Sequence, residues 1–400
     1  MSTKNKPLSP ILAPAVAIMN RLKYPQKFAL ISLFFAIPLA TVMFLLISEI
    51  NDRIEFAEKE IVGDAYLRPL RQLLEHVPAA RSLAHSYAKG QITVRPELIE
   101  SQSIIDQDFQ ELLSAEQQYG EILNTSARLN VLKENWKFLK NKTLSLEASD
   151  TDTLYGKVIG DVRSLISHAG DTSNLILDPD LDSYYLMDSV LLKLPEGVDL
   201  VSRTGFFAQS ILERGSMTAE EKAELITLTG LVRSNSEATR AGLEVGFRNN
   251  PAQNLKPRLE ELVQNSVAQT EELLKRIDSE IIDAPQLTMT QESLAALTRK
   301  TLEKDFSLWD RTVGELDGLL RTRIEGFAHK KRLVEVLSVL MLALVGYLLV
   351  GFYWAVMRTV SGLQEASDAM IQGNLTGSVS LDTRDELGHV VQSFNSMRAD

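Results

Sequence analysis

Two uncharged apolar runs constrain this chain more than any other feature. Residues 28–48 read FALISLFFAIPLATVMFLLIS and residues 336–357 read VLSVLMLALVGYLLVGFYWAVM. As helices rising about 1.5 Å per residue, each covers roughly 30 Å, the thickness of a bilayer's hydrocarbon core. Both are flanked by charge, which argues for two membrane spans rather than buried core helices. The first run is too long for a cleaved leader, and Ser48-Glu49-Ile50 is no small-residue cleavage site, so it reads as an uncleaved anchor. Pro38 inside it is tolerable in a span with helical neighbours.

Charge gives an orientation. Residues 1–27 carry Lys4, Lys6, Arg21, Lys23 and Lys27 and no acid, whereas Glu49, Asp52, Glu55, Glu58 and Glu60 follow the first run. Positive flanks stay inside, so the N-terminus is expected in the cytoplasm. Lys330, Lys331 and Arg332 argue the other way at the second run, but the first span usually dominates and the intervening loop is too long for charge counting. Tyr353 and Trp354 stand at the end of the second span, where amphipathic rings anchor a helix at the headgroup layer. The expected plan is a basic cytoplasmic tail (1–27), a span (28–48), a periplasmic region (49–335), a second span (336–357) and a cytoplasmic module (354–400), in a bacterial inner membrane.

The chain lacks cysteine and has a net charge of −11. This excludes disulfides and thiolate metal sites and argues against nucleic acid as a partner. Glycine (21) and proline (13) together fall below average usage, as in a chain of long helices. Between the spans, apolar residues recur at three and four, as in Leu259, Leu262, Val263 and Leu273, Leu274, Ile277, Ile281, with no alternating run for a sheet. Breakers cut this region into segments: 49–89 bent at Pro69 and Pro78, 96–145, 149–178, 180–215 broken near Pro195, 218–249 opened by a Thr218-x-x-Glu221 capping box, a segment ending near 283, and a last one running from about Thr290 into the second span. The fold class is therefore all-α: two transmembrane helices flank an elongated antiparallel helical bundle, one bundle or two stacked, in a homodimer.

After the second span, Tyr353, Val356, Val360, Leu363, Ser367 and Met370 keep a 3-4 spacing, as do Leu387, Val390, Phe394 and Met397. Between them stand Gly373, Leu375 and Val379, and Asp385-Glu386-Leu387-Gly388 opens the second helix. This arrangement resembles the HAMP domain, a signal-relay module of bacterial transmembrane receptors. The resemblance makes Gly373, Leu375, Val379, Glu386, Leu387 and Phe394 the relay residues, in a parallel coiled coil. One departure is Thr359, which stands about where the family carries proline. The chain ends inside the second helix, so a cytoplasmic output domain that engages signalling proteins is expected beyond residue 400. The whole order resembles a methyl-accepting chemotaxis receptor; the same input half also precedes histidine kinases and diguanylate cyclases. The stretches 66–77 and 177–188 resemble the helical-bundle sensors of such receptors.

Arg68, Arg71 and Arg81 stand in the first outer segment, where guanidinium groups in an acidic region can clamp a carboxylate or other small anion. Ordinary ion pairing is the simpler role for the same residues. Tyr184 is a further candidate contact. Asp178, Asp180 and Asp182 have the spacing of an EF-hand start, but Ser183 and Ser189 stand where glycine and glutamate are needed, and helix capping explains them better. The five histidines form no metal spacing, and His389 lacks the following proline of a phospho-acceptor helix. No phosphate-binding loop, dinucleotide fingerprint or Gly-x-Ser-x-Gly occurs. Neither catalysis nor a cofactor is expected. The expected function is transmembrane signalling from a small extracytoplasmic ligand, most simply in chemotaxis, with a sensor kinase or cyclase, or a non-sensing scaffold, as alternatives.

Overall fold

A computed structural model describes residues 11–372 and 386–399, and those residues fold into helices without a strand. The helices are α1 (Ala13–Arg21), α2 (Tyr24–Ala88), α3 (Arg95–Leu123), α4 (Ser126–Lys142), α5 (Ala148–Thr172), α6 (Leu181–Asp188), α7 (Leu194–Arg214), α8 (Ala219–Asn249), α9 (Leu255–Ile277), α10 (Gln291–Ile371) and α11 (Glu386–Ala399). The chain divides into two compact units, residues 53–327 and residues 1–52 with 328–400.

Residues 53–327 form an antiparallel helical bundle. Short loops force α4 and α5, α7 and α8, and α8 and α9 to turn back on each other, and each pair is in contact. The outer parts of α2 and α10 also run antiparallel. Glu60 pairs with Arg323 and Arg71 pairs with Asp310, so residue numbers rise along one helix as they fall along the other. The apolar core falls into two clusters. The larger gathers Tyr66, Leu70, Leu73, Tyr155, Val162 and Trp309, and the smaller Ile211, Leu225, Leu273, Ile277 and Leu294.

Several sequence expectations hold in detail. Thr218 and Glu221 form the capping box, with Glu221 N–H donating to Thr218 Oγ1 at 3.2 Å and Thr218 N–H to Glu221 Oε2 at 2.9 Å. The last outer helix continues without a break through the second apolar run, as α10. Others do not hold. The expected 96–145 helix is two, because Asn124 takes a left-handed conformation (φ 51°) that ends α3. Glu116 secures the turn by accepting from Tyr66 and Thr125 (both 2.7 Å) and from Ser126 (2.6 Å). Pro69 and Pro78, expected to bend the first segment, lie within an α2 continuous from Tyr24 to Ala88, whose buried Leu67, Leu70, Leu73, Leu74 and Val77 hold it against the core. The expected break near Pro195 is instead a five-residue π-helical turn, Ser189–Lys193, in helical backbone that runs on into α7 with Pro195 in its first turn.

The other unit holds both apolar runs. Their side chains are exposed, as with Phe34, Phe35, Phe44 and Tyr347 at 70–76 %, which suits a lipid surround. Phe28 at the start of the first run meets Phe352 and Tyr353 at the end of the second, with ring centres 5.2 and 5.8 Å apart. The two runs are therefore antiparallel, and Tyr353 packs edge-on to Trp354 as well. Thr359 is fully buried. In α11, Val391 is buried and Leu387 and Phe394 are half-buried; Glu386 opens the helix, and Gly373, Leu375 and Val379 lie outside the described residues.

Candidate functional site

The second half of α2 turns different faces toward different neighbours. Arg68 and Arg71 are three residues apart and nearly share a face. Arg81 is ten residues beyond Arg71, about 15 Å along the axis and roughly 80° around it. The three arginines consequently do not form one clamp. Arg68 is 53 % exposed and reaches back one turn to the buried Asp64 at 3.3 Å. Arg71 pairs with Glu75 and with Asp310 at 2.9 Å, and its guanidinium carbon lies 4.6 Å from the centre of the Phe306 ring. Arg71 lines one cavity with Asp310 and Phe306, and Arg81 lines another, between α2, α5, α7 and α10. Tyr184 lies away from that cavity, partly exposed on α6 and edge-on to Tyr185 with ring centres 5.3 Å apart.

The cavity holds about 520 Å3 and opens between α2, α5, α7 and α10. Arg81, Arg203 and Arg299 bring positive charge to its wall and Glu75, Asp199 and Glu303 negative charge; Ser202 and Thr298 supply hydroxyls, and Phe206 supplies an aromatic face. Arg81 lies over the Phe206 ring at 4.1 Å, and His85, one turn along α2, meets the same ring edge-on at 5.0 Å. Asp152 of α5 stands behind both, 2.9 Å from His85 Nδ1 and 3.7 Å from Arg81 Nε. Burial pulls the Arg81 guanidinium below its usual pKa, and Asp152 and Asp199 pull the other way. An arginine so placed stays charged.

Two polar atoms on this wall are buried without a hydrogen-bond partner among the described residues, Arg81 Nε and Thr298 Oγ1. Arg81 Nε faces Asp152 Oδ1, which also lacks a hydrogen bond, so a small shift would join the two, whereas an unmade buried hydrogen bond at Thr298 costs about 1–3 kcal/mol. Asp199 is occupied by Arg163 at 2.9 Å and lies 3.9 Å from Arg203. Arg299 has no ion-pair partner among the described residues. Gly205 also lines the cavity, and a side chain there would run into Thr298 at 2.7 Å, so α7 and α10 approach closely beside it. The wall thus combines guanidinium groups, carboxylates, hydroxyls and an aromatic face. It holds no group of three or more acidic, histidine or cysteine side chains fit for a metal, among the described residues.

Sequence inspection found Arg81 but missed Asp152, Arg203, Phe206 and Arg299, which lie far apart in the chain and follow no local spacing. It also missed Arg323. Asp180 does take the N-cap position of α6, yet its carboxylate does not cap the helix. It lies 2.8 Å from Arg323 Nε instead.

The comparisons bear on the other unit. Residues 351–400 match the HAMP domain. That module indicates signal transduction in a transmembrane receptor, and the two apolar helices fit a membrane protein. HAMP is a signalling module and contributes no catalytic group. No curated protein matches the chain. Among solved structures, that of the NasR transcription antiterminator is similar over 90 % of this chain and 94 % of its own, with a TM-score of 0.54 and 12 % identity. At that identity the likeness is one of fold.

Proposed function

We propose that the chain is the input half of a homodimeric bacterial inner-membrane receptor whose bundle faces the periplasm and binds a small organic or inorganic anion. The supporting observation is that one helix carries both ends of the message. Thr298, Arg299, Leu302 and Phe306 of α10 line the cavity, and the same helix continues through the second apolar run into the residues matched by HAMP. A ligand that favours one packing of α10 thereby biases the relay by its differential affinity for the two packings, typically about 1–3 kcal/mol of coupling. Output passes to cytoplasmic signalling proteins through a domain after HAMP, most simply in chemotaxis. NasR, titled a transcription antiterminator, shares the fold, and a regulatory use of such a bundle fits this reading.

Titration calorimetry of the full chain in lipid nanodiscs with a panel of carboxylates and oxoanions tests it. Saturable binding that falls about tenfold to a hundredfold in Arg81→Ala, the worth of a charged hydrogen bond, is expected. Unchanged affinity in Arg81→Ala and Arg299→Ala removes the cavity from the function.

A further inference from the structure

The bundle contains a second concentration of buried charge, around Arg323 of α10. The Arg323 side chain is only 9 % exposed and reaches three carboxylates. Its Nη1 donates to Glu60 Oε2 of α2 at 2.9 Å, and its Nη2 donates to Asp178 Oδ1 at 2.7 Å and to Ser183 Oγ. Its Nε lies beside Asp180, whose carboxylate is mostly exposed. Asp178 further accepts from the Asp180 N–H at 3.0 Å and from Ser183 Oγ at 2.9 Å. Glu60 and Asp178 are completely buried, and each has one oxygen, Oε1 and Oδ2, without a hydrogen-bond partner among the described residues.

These contacts do not balance as fully ionised groups. One guanidinium faces two buried carboxylates and a third at the rim. Water can solvate Asp180 but not the other two. Two carboxylates that share a dry site with a single cation cannot both stay ionised at moderate cost. A proton on one of them leaves one buried anion for one buried cation and turns an orphan oxygen into a donor.

We propose that Glu60 and Asp178 share one proton around Arg323, and that this proton locks α10 to α2 and to the α5–α6 connection, making the packing of α10 responsive to pH. The direction of the Glu60 equilibrium agrees: burial first, and then Asp178, raise its pKa from 4.5 to about 8, and burial raises Asp178 too. The raised value belongs to the docked helix, so docking is favoured in acid and loosens as pH climbs toward 8. One turn along α2, Asp64 faces Arg68, Asp317 and Arg321, and burial raises it to about 7. It therefore adds a separate proton that must be told apart from the first. This inference does not depend on the anion cavity.

Amide hydrogen exchange of residues 315–327, measured on the full chain in nanodiscs and corrected for intrinsic base catalysis, reads the docking. Opening is expected to rise up to about tenfold per pH unit for each proton released, with the Glu60 contribution ending near pH 8. Glu60→Gln, which keeps the shape and removes the titration, is expected to lose the rise between about pH 7 and pH 8, and Asp64→Asn to keep it. Asp180→Asn, on the exposed rim and still an acceptor for Arg323, removes one negative neighbour and is expected to move the end of the rise to lower pH. A wild-type profile flat from pH 5 to pH 8 overturns the proposal. So does a Glu60→Gln profile identical to wild type, or an Asp180→Asn variant that leaves the end point unmoved.

Discussion

The guanidinium carbon of Arg81 lies over the Phe206 ring, 4.1 Å from its centre, while His85 meets the same ring edge-on. The contact fixes an otherwise flexible side chain at the cavity wall and ties α2 to α7. Cation–π contacts are worth about 0.5–2 kcal/mol, more where water is excluded. Phe206→Leu is expected to weaken anion binding about threefold to thirtyfold by releasing Arg81 from its orientation, and to lower thermal stability through loss of the same contact between α2 and α7. Calorimetry with the ligand identified by the panel, beside thermal unfolding, checks it.

His76 Nδ1 lies 2.7 Å from Asp108 Oδ2 on α3. That hydrogen bond raises the His76 pKa above 6.5, against the opposing pull of burial. The stabilisation is accordingly complete below about 6.5 and disappears as pH rises through the raised value. Thermal unfolding of His76→Gln is predicted to lose that part of the pH dependence, with the largest deficit relative to wild type on the acid side.

Gly63 carries no side chain where α2 meets the end of α5. A Cβ there would sit 2.2 Å from Ser173 Oγ and 2.7 Å from Leu175 Cδ1. Ser173 Cβ, 2.4 Å away, cannot retreat without moving the backbone of the Ser173–Leu177 turn, so Gly63→Leu is predicted to destabilise the bundle by about 1–3 kcal/mol, the usual cost of overpacking. Ser173→Gly in the same chain should recover part of the loss in a denaturation series.

α10 runs from Gln291 to Ile371 without interruption. Four glycines inserted after Arg332 should leave anion affinity unchanged and abolish any ligand-dependent change in hydrogen exchange within α11, since glycine breaks helical continuity at about 1 kcal/mol per residue. Persistence of that change would show that α10 does not carry the signal.

The absence of cysteine makes topology directly readable. Ser216 is exposed in the loop between α7 and α8. A Ser216→Cys chain is expected to react with a membrane-impermeant maleimide in intact cells; reaction only after lysis would place the bundle inside.

Much of the architecture was legible in the sequence because it is local. The two apolar runs, the Thr218-x-x-Glu221 cap and the unbroken last helix each depend on residues within a few turns of one another, and all three stand in the structure. The α3–α4 break went unread: Asn124 takes the left-handed end of α3, and Glu116 holds the turn by accepting from Tyr66 of another helix as well as from Thr125 and Ser126. Nor did Asp180 show that it would leave its helix for Arg323.

What the sequence determined by itself is therefore an all-helical chain with two lipid-length stretches and a relay module after the second, since hydrophobic period and run length act along the chain. Tertiary structure alone decided which charges meet. Arg68, Arg71 and Arg81 looked like one group and are three, while Arg81, Arg203 and Arg299, and Glu60, Asp178 and Arg323, lie far apart in sequence and converge. Helix packing fixes rotation and register between segments, and a small error in either moves a side chain to another face.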